Sequence, residues 1–206
     1  VLNDEQKAHL ALIEKATLDA AGVVRRLQTF SRTQRTNAFV NVSVAEVCTD
    51  AIEFLRPLWS TRRRHGKPPI SVRLACDPAL RVTGNPTELR EVLTNLLKNA
   101  LDALGDRGGS IVLQAESRAD GVEIFVQDDG AGIPPEILAK VFDPFFTTKG
   151  ERGTGLGLCL SQRIAEQHGG ELTLASTLGK GTTARLHLPH ASPGAPLAEA
   201  ASTVGG

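Results

Sequence analysis

Asn95-Leu96-Leu97-Lys98-Asn99-Ala100 is the stretch on which the fold turns. It sits in a helix opened by Asn85-Pro86-Thr87-Glu88, where cap, first-turn proline and third-position glutamate stand in order. The spacing predicts that helix to run to about Leu104, with Leu89, Val92, Leu93, Leu96, Ala100 and Leu104 on its apolar face. At roughly 100° per residue, Glu91, Asn95, Asn99 and Asp102 fall in one narrow strip elsewhere on the helix. A solvated face is the plain reading of that strip. Asparagine, however, competes for backbone hydrogen bonds and suits helix interiors poorly. Two of them one turn apart suggest that their oxygens have another task, and an amide oxygen suits a hard cation such as Mg²⁺ that shares its coordination with phosphates.

Downstream, Val126-Gln127-Asp128-Asp129-Gly130-Ala131-Gly132-Ile133-Pro134 ends an apolar strand in carboxylates followed by two glycines one residue apart. Such glycines let the backbone approach a flat or charged ligand closely. A carboxylate fixed at a strand end accepts from an exocyclic amine such as that of adenine. By itself the motif equally describes a surface turn. Gly153-Thr154-Gly155-Leu156-Gly157-Leu158 runs straight into a helix, and backbone amides exposed there make an anion site. Between the two lies Phe142-Asp143-Pro144-Phe145-Phe146-Thr147-Thr148-Lys149-Gly150, which reads as a hinged loop whose phenylalanines anchor its base and whose Lys149, with Arg152 beyond it, reaches phosphates. Gly179-Lys180-Gly181-Thr182 is read as a hairpin turn.

The remaining pattern supplies a scaffold. Ile13, Ala16, Ala20, Val23, Leu27 and Phe30 make a heptad seam, so residues 1–34 are expected to form one long helix that pairs with other helices. Val40, Val42 and Val44 alternate, and Ser43 with Glu46 makes a capping box for a helix expected to bury Val47, Ala51, Phe54 and Leu58, kinked at Pro57 and ended by Arg62 to His65. Strands are expected at Ile70 to Cys76, Ser110 to Ser117, Val122 to Asp128, Glu171 to Ser176 and Thr182 to Leu188, with a short helix after Pro134-Pro135 and a longer one from about Leu156 to His168. Residues 35–190 form the main domain, and the Ala, Pro and Gly-rich residues 191–206 are expected to be disordered.

With 23 basic and 23 acidic side chains in 206 residues the chain carries no global field, which argues against a general nucleic-acid or anionic-membrane binder. No apolar run reaches the roughly 20 residues that cross a bilayer. Cys48, Cys76 and Cys159 are scattered and odd in number, so neither a disulfide framework nor a zinc site is suggested, and a reducing compartment fits. The absence of Met and the opening of the chain inside a helical pattern suggest a piece of a longer protein.

Taken in order, Asn95 to Ala100, Asp128 to Ile133, Phe142 to Lys149 and Gly153 to Leu158 resemble the N, G1, F and G2 boxes of sensor histidine kinases, over roughly residues 40 to 188. Asp102-Ala103 and the Phe-Phe-Thr-Thr-Lys wording look most like the nitrogen-regulation type. The resemblance implies an α+β fold: a two-layer α/β sandwich of the Bergerat type, with a mixed, mostly antiparallel sheet under three helices, preceded by the second helix of a dimerisation and phosphotransfer hairpin. It implies ATP and Mg²⁺ as ligands, with Asn99 on the metal, Asn95 on the phosphate side, Asp128 reading adenine, and Gly130 and Gly132 forming the floor. Gly153, Gly155 and Gly157 would form the phosphate loop with Thr154, Leu156 and Leu158. Asp102, Ile133 and Phe145 would line the site, Thr182 or Thr183 would close the adenine pocket, and Lys149 would contact phosphate.

The implied reaction moves the γ-phosphoryl group of ATP to a histidine, for relay to a response-regulator receiver domain, in a homodimer formed through the N-terminal helices. The expected location is cytoplasmic, within a parent protein that is either free or membrane-anchored. One departure stands out: no histidine here has an acidic neighbour and a proline a few residues on, and His9, between Ala8 and Leu10, reads as an ordinary helix residue, so the acceptor is expected outside this sequence. The alternatives are an ATPase of the same superfold and a degenerate nucleotide-binding or dimerisation scaffold. The ATPase needs a glutamate where Asn95 stands, and an amide is no general base.

Overall fold

The computed structural model describes residues 39–62, 66–150 and 153–190. The long helix expected over 1–34, His9, Arg63 to His65, Arg152 and the tail 191–206 lie outside the described residues. Strand β1 (Val40–Ser43) leads into helix α1 (Val44–Leu55) and a short α2 (Pro57–Ser60). Then follow β2 (Ile70–Cys76), β3 (Arg81–Gly84), α3 (Pro86–Leu104), β4 (Gly109–Ser117), β5 (Gly121–Asp128), α4 (Pro135–Leu138), α5 (Gly157–Gln167), β6 (Glu171–Thr177) and β7 (Gly181–Pro189).

Five strands form one sheet in the order β2-β4-β5-β7-β6, antiparallel throughout except for the parallel pair β2 and β4. Helices α1, α3 and α5 pack on one face of it. Period-two alternation explains which residues meet them: Ile111, Leu113, Ala115, Val122, Ile124, Val126, Ala184, Leu186 and Leu188 are all buried against the helices. The mixed sheet under three helices is the fold implied by the resemblance. Helix α3 is the central element. Asn85 caps it, its Oδ1 accepting from the amides of Thr87 at 3.0 Å and Glu88 at 3.4 Å, and its buried residues run from Leu89 to Leu104.

Two local expectations are corrected, and one strand was not expected at all. Phe54 and Leu58 are 72% and 58% exposed instead of buried, because the helix breaks at Arg56 ahead of Pro57, and Val44, Val47, Cys48, Ala51 and Leu55 complete the apolar stripe. Val44 begins α1 and does not continue the strand, since Ser43 caps that helix by accepting from the amide of Glu46. Strand β3, which pairs antiparallel with β1 in a separate two-stranded sheet, has no signal of its own beyond a single inward Val82. Helix α5 ends as expected at Gly169-Gly170, where the amides of Gly169 and Gly170 return to the carbonyls of Glu166 and Ala165, both at 2.9 Å.

Candidate nucleotide site

The face of α3 turned away from the sheet carries Asn95, Lys98, Asn99 and Asp102, which line a cavity of about 220 Å³. The opposite wall comes from the loop between α4 and α5: Phe146, Thr147, Thr148, Lys149, Gly153, Thr154, Gly155, Gly157 and Leu158, with Ile133, Ile137 and Val141 closing one end. A smaller apolar cavity of about 60 Å³ lies behind it, lined by Asp128, Thr182, Leu96, Val126, Leu174 and Ala184. Asn99, Ile133 and Leu158 line both, so the two spaces adjoin. A polar outer chamber leading to an apolar slot with one carboxylate is the shape a phosphate-bearing planar ring requires.

Asp128 ends β5, and alternation turns its side chain inward with Val126. It is 7% exposed, and its Oδ1 accepts from the amide of Gly130 at 2.8 Å. Burial pushes its carboxyl above the usual aspartate range, against the opposing pull of the Gly130 and Thr182 amides. The neighbouring Asp129 faces elsewhere: the amide and hydroxyl of Ser110, at 2.8 and 2.7 Å, hold its carboxyl below the ordinary range and fix the loop to β4. Two adjacent acids are thus separated into one that braces the loop and one aimed into the slot.

Asn95 donates from Nδ2 to the buried Ser161 hydroxyl of α5 at 3.0 Å, and a Cβ on Gly157 would overlap its Oδ1. Lys149 Nζ donates to Asn99 Oδ1 at 2.9 Å and pairs with Asp102 at 2.7 Å. The amide oxygen and carboxylate on α3 therefore already face a cation, which is the donor chemistry a divalent ion beside phosphates needs.

The expected site residues divide by position. Asn95, Asn99, Asp102, Ile133, Lys149, Gly153, Thr154, Gly155, Gly157 and Leu158 line the outer chamber, and Asp128 and Thr182 line the slot. Gly130, Gly132, Phe145 and Leu156 line neither. Gly130 packs against Ala103 of α3, while Gly132, at φ +68°, lies so close to Thr177 that a Cβ would meet its carbonyl. Leu156 is buried in the core side of the loop. Phe145 is 64% exposed at φ +67°, its amide donating to Gly155 at 2.9 Å, and Phe146 takes the wall position in its place. Thr183 alternates to the far face of β7 from Thr182.

Sequence reasoning missed Ser161 and Ser176. The Ser176 hydroxyl accepts from the amide of Ile133 at 2.8 Å and lies 2.9 Å from Thr182 Oγ1, tying the glycine loop to the end of β7. Neither serine carried a signal apart from its place in an amphipathic element. Phe146, Thr147 and Thr148 were signalled by the Phe-Thr-Lys stretch itself.

Among the described residues no helix is long and apolar enough to cross a membrane. Residues 84–192 match the family described as histidine kinase-, DNA gyrase B- and HSP90-like ATPase. Over 121 residues the chain is 46% identical to the sensor histidine kinase ZraS of Escherichia coli K12, covering 58% of this chain and 26% of that protein. The chain thus spans about a quarter of that relative's length. The nucleotide-free catalytic domain of the histidine kinase ThkA superposes with a TM-score of 0.63 at 30% identity, covering 73% of this chain and 95% of the other. ThkA in complex with the response regulator TrrA superposes at 0.70 over 93% of this chain and 53% of the other, a likeness of fold at 24% identity. The chain belongs to the histidine kinase-, DNA gyrase B- and HSP90-like ATPase family, and its domain is the ATP-binding catalytic domain of the sensor histidine kinase type.

Proposed function

We propose that this domain binds Mg·ATP between α3 and the loop following α4 and transfers its γ-phosphoryl group to a histidine outside the described residues, for relay to a receiver domain. The observation that carries the reading is the adjoining pair of cavities joined at Asn99, with the Asp128 carboxylate in the apolar one and amides, Lys149 and the glycine-rich helix start in the polar one. Asp128 accepts from the adenine amine, and Thr182 closes the slot beside it. Asn99 holds the magnesium ion, whose chemistry is to neutralise charge developing on the phosphates. Asn95, oriented by Ser161, and the amides of Gly153, Gly155 and Gly157 at the start of α5 position the phosphates.

The described histidines are poor acceptors. His168 is buried with Nε2 accepting from the Asn85 amide at 3.0 Å and Nδ1 donating to the Ile164 carbonyl at 2.8 Å, while His187 and His190 belong to β7 and its end and line neither cavity. Asn95 has no carboxylate with which to activate water, which favours a kinase over a hydrolase. The parent would act in a reducing compartment as a homodimer through its N-terminal helices. Calorimetry with Mg·ADP tests the pocket, and radiolabelled ATP with a histidine-bearing helical hairpin added in trans tests transfer. Acid-labile label on the hairpin is expected, and release of phosphate with no label overturns the kinase reading.

A further inference from the structure

Ser176 of β6 lines neither cavity of the nucleotide site, yet its hydroxyl is fully engaged beside them. It accepts from the amide of Ile133 at 2.8 Å, donates to the carbonyl of Gly181 at 3.0 Å and stands 2.9 Å from Oγ1 of Thr182. A hydroxyl has one proton and two lone pairs. The Gly181 carbonyl can only accept, so it takes the Ser176 proton, and the Ile133 amide takes one lone pair. The second lone pair is what remains for Thr182, and the contact between the two hydroxyls is therefore a bond in which Thr182 donates.

The direction of that bond sets the polarity of the apolar slot. Thr182 stands opposite Asp128 in the register of β5 and β7, and both line the slot. Among the described residues lining it, the other polar side chain is Asn99, which lies where slot and chamber meet. With its proton spent on Ser176, Thr182 Oγ1 turns only lone pairs toward the slot, as the Asp128 carboxylate does. Two neighbouring acceptors suit an exocyclic amine, which has two protons to give, and they oppose a ring carbonyl in the same place.

We propose that Ser176 is the positioning residue that makes the slot take an amino-purine and reject an oxo-purine, by drawing the Thr182 proton away from the base. The proposal rests on the assignment of Asp128 and Thr182 to the base made under the proposed function. It adds a residue that touches no ligand and acts by restricting a rotor. A threonine hydroxyl free to turn would offer its proton to a carbonyl as readily as its lone pairs to an amine, and the discrimination due to Thr182 would be lost.

Calorimetry with Mg·ADP and with the magnesium complex of inosine diphosphate, by direct titration or by displacement of Mg·ADP, tests this. The two ligands differ at the exocyclic group and the adjoining ring nitrogen. The wild type is expected to prefer Mg·ADP, Ser176→Ala to shrink that preference several-fold, and Ser176→Thr, which keeps the hydroxyl, to restore it. In a Thr182→Val background there is no proton to release, so adding Ser176→Ala is expected to leave the preference unchanged, which a general loosening of the glycine loop would not do. Thr182→Val alone decides the matter if Ser176→Ala fails to fold: loss of an acceptor lowers the preference, whereas loss of a donor raises it. A preference unmoved by Ser176→Ala, or raised by Thr182→Val, overturns the proposal and leaves the nucleotide reading standing. Failure of the wild type to bind Mg·ADP overturns that reading, and the proposal with it.

Discussion

The ammonium of Lys149 stands 2.9 Å from Oδ1 of Asn99, the amide oxygen that we assign to the metal ion. Lys149 and its second partner Asp102 are 38% and 43% exposed, so their pairing adds little to stability. In the proposed reading its value lies in ligand binding, the lysine exchanging its α3 partners for phosphate oxygens. A hydrogen bond to a charged group contributes about 1.5–3 kcal/mol, so Lys149→Met is expected to weaken Mg·ATP binding about tenfold or more while leaving the melting temperature unchanged. Calorimetry and thermal denaturation check both halves, and unaltered affinity would remove Lys149 from the site.

Asp128 gives the site a pH dependence of known sign. With Asp128 as the proposed acceptor for the adenine amine, binding needs the carboxylate, so affinity is expected to be full above the Asp128 pKa and to fall as pH drops through it. Burial raises that pKa, and the loss therefore begins at higher pH than a surface aspartate would allow. Calorimetric titration with Mg·ADP at successively lower pH is expected to show this decline. Asp128→Asn keeps the shape of the side chain but reverses the donor character of one of its atoms, and it is expected to abolish measurable binding at every pH. A variant that binds as the wild type does would mean that adenine is read elsewhere.

Gly155, in the loop before α5, and Gly157, the first residue of that helix, should fail in different ways. At Gly157 an added methyl meets only the end of the Asn95 side chain, which can swing aside at the cost of its bond to Ser161. Gly157→Ala should fold normally and lose nucleotide affinity. Gly155 has φ +63° and lies against the Phe145 backbone, which cannot yield so readily. Gly155→Ala is expected to cost about 1–3 kcal/mol and to lower the melting temperature as well as the affinity. Equal melting temperatures for the two variants would contradict this distinction.

What could be read from sequence follows the range of the interaction responsible. Helix α3 and the β4–β5 hairpin were legible because a cap, an alternation and a turn are written within a few residues of each other, as at Asn85 and at Val122 to Val126. The β1–β3 ladder and the parallel pairing of β2 with β4 depend on partners about 40 residues apart, and nothing local announces them. The site divides in the same way. Asn95, Asn99 and Asp128 were visible as the wrong residue types for their elements, whereas Ser161 and Ser176 are ordinary in theirs and acquire a role only through contacts across the fold. The exchange of Phe145 for Phe146 on the chamber wall follows from the positive φ of Phe145, whose amide is held by Gly155 ten residues on. No periodicity records such a turn of the backbone.

The sheet face opposite the helices carries its own buried charge. Glu123 of β5 is 7% exposed and accepts from Arg118 Nε at 2.8 Å and from Arg185 Nε at 2.6 Å. The Arg118 bond, then the Arg185 bond, hold its carboxyl below the usual glutamate range. A depressed folded-state pKa contributes stability that is fully present above the unfolded-state value and is lost as pH falls through the folded-state value. Glu123→Gln should therefore melt below the wild type at neutral pH, leaving two guanidiniums facing a neutral amide. The gap between the two should narrow as the solution is acidified below the ordinary glutamate range, where the wild-type carboxylate is itself protonated. Melting curves of both proteins from neutral to acid pH measure this, and a gap that stays constant across the series would show that Glu123 acts through packing and not through its charge.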